Sequence, residues 1–312
     1  MLLDVIIPTY NEEGNINALY ESLCNSLSDI RFNLIFVDDG SKDSTYKELR
    51  ELYNKDKKHI QVISFSRNFG KDAAMYAGLK ASKAKYACII DADLQQSPTL
   101  VKDMLKFLEE NEEYDEVAMV NQYTHENVFQ KLFKHLFYNV MKKSTNQEYV
   151  AGASDFRLFR RNVVKALVSM KENNRFTKGL FSWVGFKIHY MKYTPDKRHS
   201  GKSKFNFSKQ ISYAVDGLMN FSTSLLNIAI ILGTLCTGIS FIYFIYIFIK
   251  TLVQGIDMPG YASIACLILF FGGMIIAFQG LLAKYIAKVY MEAKERPIYI
   301  EKATLGFDDD IL

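Results

Sequence analysis

Asp91 and Asp93 stand two residues apart at the end of an apolar run, Cys88-Ile89-Ile90-Asp91-Ala92-Asp93, and no other spacing in the chain points so directly to chemistry. In an extended segment, side chains at i and i+2 point the same way, so both carboxylates can face one divalent cation. An oxygen-only pair suits Mg²⁺ or Mn²⁺ carrying the phosphates of a nucleotide better than it suits zinc, and no softer ligand lies nearby. Asp is also common in ordinary strand-end turns, so the triplet alone leaves both readings open. The surrounding residues decide between them.

Short apolar runs at residues 3–7, 33–37, 61–65, 86–90 and 116–120 alternate with helix-like segments. That βαβα order predicts an α/β fold whose mostly parallel sheet has helices on both faces and binds its ligand at the carboxyl ends of the strands. Ser97 is the expected N-cap of the following helix, with Pro98 at its first position, so the acidic pair sits in a short loop between strand four and that helix; Asp43 or Ser44 caps the helix after strand two. Residues 129–143 read as helix, 155–159 as a short strand and 187–193 as an exposed strand. The polar stretch 195–206 reads as a loop, and 207–221 as an amphipathic surface helix with Phe207, Ile211, Val215 and Leu218 on one face.

Composition is divided along the 312 residues. Residues 217–249 and 258–283 contain no Asp, Glu, Lys or Arg, and each run exceeds the roughly 20 apolar residues that cross a bilayer. The expected organisation is a cytoplasmic catalytic domain (1–206), a juxtamembrane helix (207–221), two transmembrane helices within 222–290 (about 222–249 and 259–285) and a cytoplasmic tail (291–312). Lys202, Lys204 and Lys209 precede the first span, and Lys284, Lys288, Lys294 and Arg296 follow the second. The positive-inside rule therefore puts both ends in the cytoplasm, as a multi-pass protein of the plasma (inner) membrane. The N-terminal apolar stretch has no basic flank, is interrupted by Asp4 and ends at Pro8, so it reads as a strand and not as a signal peptide. Four cysteines without C-x-x-C spacing read as buried thiols. The net charge of +4 sits near the membrane and gives no case for nucleic acid.

Three short motifs stand in order at strand ends: Pro8-Thr9-Tyr10-Asn11-Glu12, Val37-Asp38-Asp39-Gly40-Ser41 and Asp91-Ala92-Asp93. Together they resemble the family 2 glycosyltransferases. The resemblance implies a nucleotide-sugar-binding domain of the GT-A type, with Pro8, Tyr10, Glu12, Asp38, Asp39, Lys71 and Asp91 around the donor. Either Asp38 or Asp39 would bond the base or ribose. Asp93 would ligate the metal directly, and Asp91 would act on the metal, through a water, or on the ribose. Further motifs, Ser66 to Lys71, Asp155 to Leu158, Trp183 to Phe186, Gly201 to Phe205 and Glu295 to Tyr299, look like the polyprenyl-phosphate glycosyltransferases over nearly the whole chain. These move one sugar from a nucleotide diphosphate to a membrane lipid phosphate with inversion.

The physical requirements agree. Departure of a nucleotide diphosphate develops negative charge, which a fixed cation stabilises as a Lewis acid. A lipid-phosphate acceptor needs basic groups at the bilayer junction, where Arg198, Lys202 and Lys204 are the candidates beside Lys197 and Gly201; a nonspecific anionic-lipid contact is the alternative. By resemblance Asp155 is a general base, but a phosphate monoester with a second pKa near 6 is already mostly ionised, so Asp155 equally fits as an orienting group or as the partner of Arg157 or another cation. Core packing is expected of Trp183 and Phe186, with a place at the sugar or lipid entrance as the alternative. Arg67, Asn68 and Lys71 meet a phosphate or are solvated, and His199 reads as incidental.

The bacterial branch favours a UDP-sugar over GDP-mannose, with glucose ahead of N-acetylglucosamine, and an undecaprenyl-type acceptor. The rival from another class is a non-catalytic, membrane-anchored binder of nucleotide sugars. Related enzymes can form tetramers, and the span glycines Gly233, Gly238, Gly272, Gly273 and Gly280 permit close helix packing without requiring it.

Overall fold

Each central strand divides its side chains between two apolar layers. In β1 (Leu3–Thr9), Leu3, Val5 and Ile7 enter one layer and Ile6 the other; in β2 (Phe32–Asp38), Phe32, Leu34 and Phe36 oppose Ile35 and Val37. Burial on both faces makes such strands read as continuous apolar runs. The first layer is closed by α1 (Ile16–Ser26), α2 (Thr45–Lys55) and α4 (Thr99–Glu110), whose buried residues recur at helical spacing, as in Val101, Met104, Leu105 and Leu108. The second layer is closed by α3 (Lys71–Ala81), α5 (Arg161–Ser169) and α6 (Thr177–Trp183). Helix α3 lies so close to β1 that a Cβ on Gly78 would fall 2.3 Å from Ile6 Cγ2.

This computed structural model describes residues 1–122, 150, 152–173, 175–195, 224–254 and 260–307. The expected helices at 129–143 and 207–221 lie outside the described residues, as do Lys197, Arg198, His199, Gly201, Lys202 and Lys204 of the basic loop.

The remaining strands are β3 (Ile60–Phe65), β4 (Tyr86–Ile89), β5 (Glu116–Asn121), β6 (Ala153–Arg160), β7 (Ile188–Tyr193) and β8 (Glu301–Leu305), in the sheet order β7-β5-β6-β4-β1-β2-β3-β8. Strands β1 to β4 are mutually parallel where they pair, and β5 is parallel to β7, whereas β6 and β8 run antiparallel to β4 and β3. The chain moves outward from β1 to β3 and then returns to place β4 on the other side of β1. Doubly wound sheets bind ligands at the carboxyl ends of strands flanking such a reversal.

Beyond the first sheet strands come two long helices, α7 (Ser224–Gln254) and α8 (Tyr261–Ala293). Among the described residues, Phe270–Ala293 is long and apolar enough to cross a membrane, and Ala229–Tyr243 is a shorter apolar stretch. The helices come together at Gly233, where a Cβ would meet the Phe278 ring at 4.0 Å. Many of their described apolar side chains are turned outward: Ile276 is 70% exposed and Ile286 67%.

Several expectations change. The segment 291–312 is not simply a tail, because 301–305 return as edge strand β8 against β3. Helix α4 begins at Thr99, with Pro98 as N-cap; Ser97 instead shares a 2.8 Å hydroxyl contact with Thr99. Trp183 is 57% exposed at the end of α6, so it does not pack in the core, while Phe186 is half-buried against the second layer. Cys88 is buried, but Cys24 and Cys236 are only half-buried.

Candidate active site

The loops after β1 and β2 are knitted together by side chains accepting from backbone. Asn11 N donates to Ser41 Oγ (3.0 Å), Glu12 N to Thr45 Oγ1 (2.9 Å), Lys42 N to Asn11 Oδ1 (2.9 Å) and Ser44 N to Glu13 Oε2 (3.0 Å). Asp43, one of the two cap candidates, accepts from Thr45 N (3.0 Å) and from Thr45 Oγ1 (2.6 Å); Ser44 makes no side-chain cap bond. Pro8, Tyr10 and Glu12 are half-buried along this rim.

Asp38 and Asp39 are both buried, and their oxygens are used inside the protein. Asp38 accepts from Ser41 N (3.0 Å) and Ser64 Oγ (2.8 Å). Asp39 accepts from Phe69 N (2.6 Å) and Gly70 N (2.9 Å), the last amides before α3. Burial pushes the Asp39 carboxyl up to about 6, against the pull of those two amides. Between the loops, Gly40 has φ +65° and a Cβ there would lie 2.4 Å from the Arg67 carbonyl carbon, so only glycine fits. The result is a fixed start for α3 at Lys71.

Strand β4 ends at Ile89 and α4 begins at Thr99, so Asp91 and Asp93 lie in the short loop expected between them and not in an extended run. They sit in a turn that includes Leu94 at φ +60°. Asp91 Oδ2 accepts from Gln96 Nε2 (3.1 Å), while Gln96 Oε1 accepts from Asp91 N (2.9 Å). Asp93 Oδ1 accepts from Gln95 N (3.2 Å). Nothing in the motif singled out Gln96; its distance along the turn is the only sequence signal.

Antiparallel β6 completes the cluster. Its register pairs Ile89, the last residue of β4, with Arg157, and Asp155 lies two residues before Arg157 on β6. Lys71 Nζ bridges the two carboxylates, 2.6 Å from Asp91 Oδ1 and 3.0 Å from Asp155 Oδ2. Desolvation works against the Lys71 charge, but Asp155 and Asp91 hold it above the ordinary lysine range. Burial alone would raise the Asp155 carboxyl; Lys71, Lys178 and Arg157 outweigh that and hold it well below the usual carboxylate range. Arg157 itself is committed to the core, ion-paired to fully buried Glu116 and stacked 4.5 Å over Phe181. Asp155 Oδ1 is buried without a hydrogen-bond partner among the described residues.

Among the described residues, no three His, Cys, Asp or Glu side chains converge as a ready-made metal cage. Two carboxylates are enough for Mg²⁺ or Mn²⁺ when substrate phosphates and water supply the other ligands. The oxygen-only donors, one of them already drawing a cation, fit such an ion.

Residues 4–168 match the model of glycosyl transferase family 2. The chain belongs to that family. This family 2 glycosyltransferase is 35% identical over 309 residues to an uncharacterized glycosyltransferase, sll0501, of Synechocystis, covering 98% of this chain and 96% of the relative. It is 32% identical over 304 residues to the prophage bactoprenol glucosyl transferase homolog of Escherichia coli K12, covering 97% and 99%, and to the bactoprenol glucosyl transferase of Shigella phage SfV, covering 97% and 98%. Glucosyl-3-phosphoglycerate synthase from Mycobacterium tuberculosis, solved with Mn²⁺ and UDP-glucose, superposes with TM-score 0.46 at 18% identity over 70% of this chain and 77% of that one.

Proposed function

We propose that this glycosyltransferase moves one sugar, with glucose the first choice, from a UDP-sugar to an undecaprenyl-type polyprenyl phosphate at the cytoplasmic face of a membrane, with inversion. One observation carries the reading: a family 2 site at the reversal of the sheet belongs to a chain that continues into long, outward-facing apolar helices. The near-full-length likeness to bactoprenol glucosyl transferases supports it.

In this reading Pro8, Tyr10, Glu12, Asp38 and Asp39 form the nucleoside pocket, the two aspartates by fixing its walls. Asp91 and Asp93 hold Mg²⁺ or Mn²⁺, which when bound supplies Lewis-acid stabilisation of the departing diphosphate. Arg198, Lys202 and Lys204 hold the acceptor phosphate. Its attacking oxygen is already mostly anionic at neutral pH and needs no strong base. A carboxylate held as low as Asp155 is a poor proton acceptor, which favours the orienting role: Asp155 fixes the Lys71 ammonium beside the donor phosphates.

The even return of the chain to its own sheet supports two crossings, in α7 and α8, with both ends on one side, and the basic residues flanking the spans favour the cytoplasm for that side. Detergent-purified protein, Mg²⁺ or Mn²⁺, undecaprenyl phosphate and a panel of radiolabelled UDP- and GDP-sugars give the test. Label should enter the organic phase from one UDP-sugar and stop on chelation or in Asp93→Ala. Binding of nucleotide without transfer from any donor would leave a non-catalytic binder or another acceptor.

A further inference from the structure

Lys71 is placed by backbone. It is the first residue of α3, directly after Gly70 at φ +100°, and the Gly70 amide is held by Asp39. The backbone sets where its stem begins, and the two ion pairs hold its ammonium between the carboxylates. A divalent cation on Asp91 Oδ1 at the usual distance of about 2.1 Å would stand within roughly 5 Å of an ammonium bonded to the same oxygen. In a partly desolvated site that repulsion is large. Asp155 gives the ammonium somewhere to stay, since Oδ2 already holds it at 3.0 Å and Oδ1 is buried with no hydrogen-bond partner among the described residues.

We propose that Lys71 is the resident counter-cation of Asp91 and Asp155, and that it yields Asp91 to the divalent metal while keeping Asp155. Lys71 is then a positioning residue with two settings. It neutralises the carboxylates before metal arrives, and afterwards its remaining donors are released toward the donor phosphates. The inference rests on the reading of Asp91 and Asp93 as metal ligands.

Mn²⁺ binding to the detergent-solubilised full chain, followed by the paramagnetic resonance of free Mn²⁺ without nucleotide, tests it. Lys71→Met should bind Mn²⁺ about tenfold more tightly than wild type, because Asp91 no longer has a competing partner. Lys71→Arg keeps the charge and should stay within about twofold. Lys178→Met removes a positive charge that acts on Asp155 and should gain no more than about threefold. Equal or weaker binding by Lys71→Met, or an equal gain in Lys178→Met, overturns the exchange. Binding seen only in Lys71→Met counts as the gain. Asp93→Ala separates the two readings: loss of Mn²⁺ there with no gain in Lys71→Met defeats the exchange alone. Binding that ignores Asp93→Ala, or none in any form, defeats the metal assignment as well.

Discussion

At the scale of single residues, the site is built from carboxylates with opposite burdens. Asp155 stays ionised because three cations face it, so its value lies in holding Lys71 and not in accepting a proton. Asp155→Asn should lower kcat about 100-fold by misplacing the ammonium. The shape of the pH–rate profile between pH 5 and 8 should not change; disappearance of an acidic limb in the variant would restore Asp155 as a general base. Asp39 is the converse case. Its carboxyl is raised in the folded protein from 3.8 to about 6, chiefly by burial, so the unfolded chain gives up its proton first. Stability from this group is complete below about pH 4 and is lost as pH rises through about 6, by an amount on the order of 3 kcal/mol. Asp39→Asn has no charge to bury. The melting temperature of the variant should therefore gain on wild type between pH 4 and pH 7.5, and a gap that stays constant over that range would mean that Asp39 does not titrate there.

At the scale of elements, the added strand β8 braces the loop that presents Lys71. Ser66 N donates to Ile300 O (2.9 Å), Tyr299 stacks on Phe65 with ring centroids 4.8 Å apart, and Phe65 meets Phe69 edge-on at 5.8 Å. Phe69 is one of the two residues whose amides Asp39 holds. Tyr299→Ala removes the half-buried ring of that stack and should destabilise the protein by about 2 kcal/mol. It should also raise KM for the donor, since the loop before α3 loses its brace; an unchanged KM at reduced stability would reduce Tyr299 to a packing residue. The strands β1 to β5 were legible because burial on both faces leaves continuous apolar runs, and the three loop motifs announced the donor side. Register was not legible. Asp91 follows β4 while Asp155 lies on its antiparallel neighbour β6, far away in sequence, and Lys71 joins the two from a third element. Strand β8 was hidden for a related reason: Glu301–Leu305 is short, half-polar and comes after two apolar helices, so nothing local ties it to β3. Trp183 departs from the burial expected of a large aromatic because it is the last residue of α6, and a helix end can turn its side chain outward.

At the scale of the whole molecule, β8 restricts how the chain can meet a bilayer. Strands β7 and β8 belong to one sheet, although α7 and α8 lie between them in sequence. A chain that leaves a folded body and returns to it must cross any intervening membrane an even number of times. If Phe270–Ala293 crosses, a second crossing must lie upstream, and α7 with its apolar stretch Ala229–Tyr243 is the described helix that can supply it. The far end of α8 is also tied to the sheet domain, since the Glu292 carboxylate accepts from Asn173 N (3.0 and 3.1 Å). Reporter domains fused before Met1 and after Leu312 should therefore report the same side, with both tags cleaved or both protected in sealed vesicles of one orientation. Opposite sides for the two reporters would require an odd number of crossings and would pull β8 off β3. The brace on the Lys71 loop would be lost with it, so in such a molecule Tyr299→Ala would leave stability and donor KM untouched.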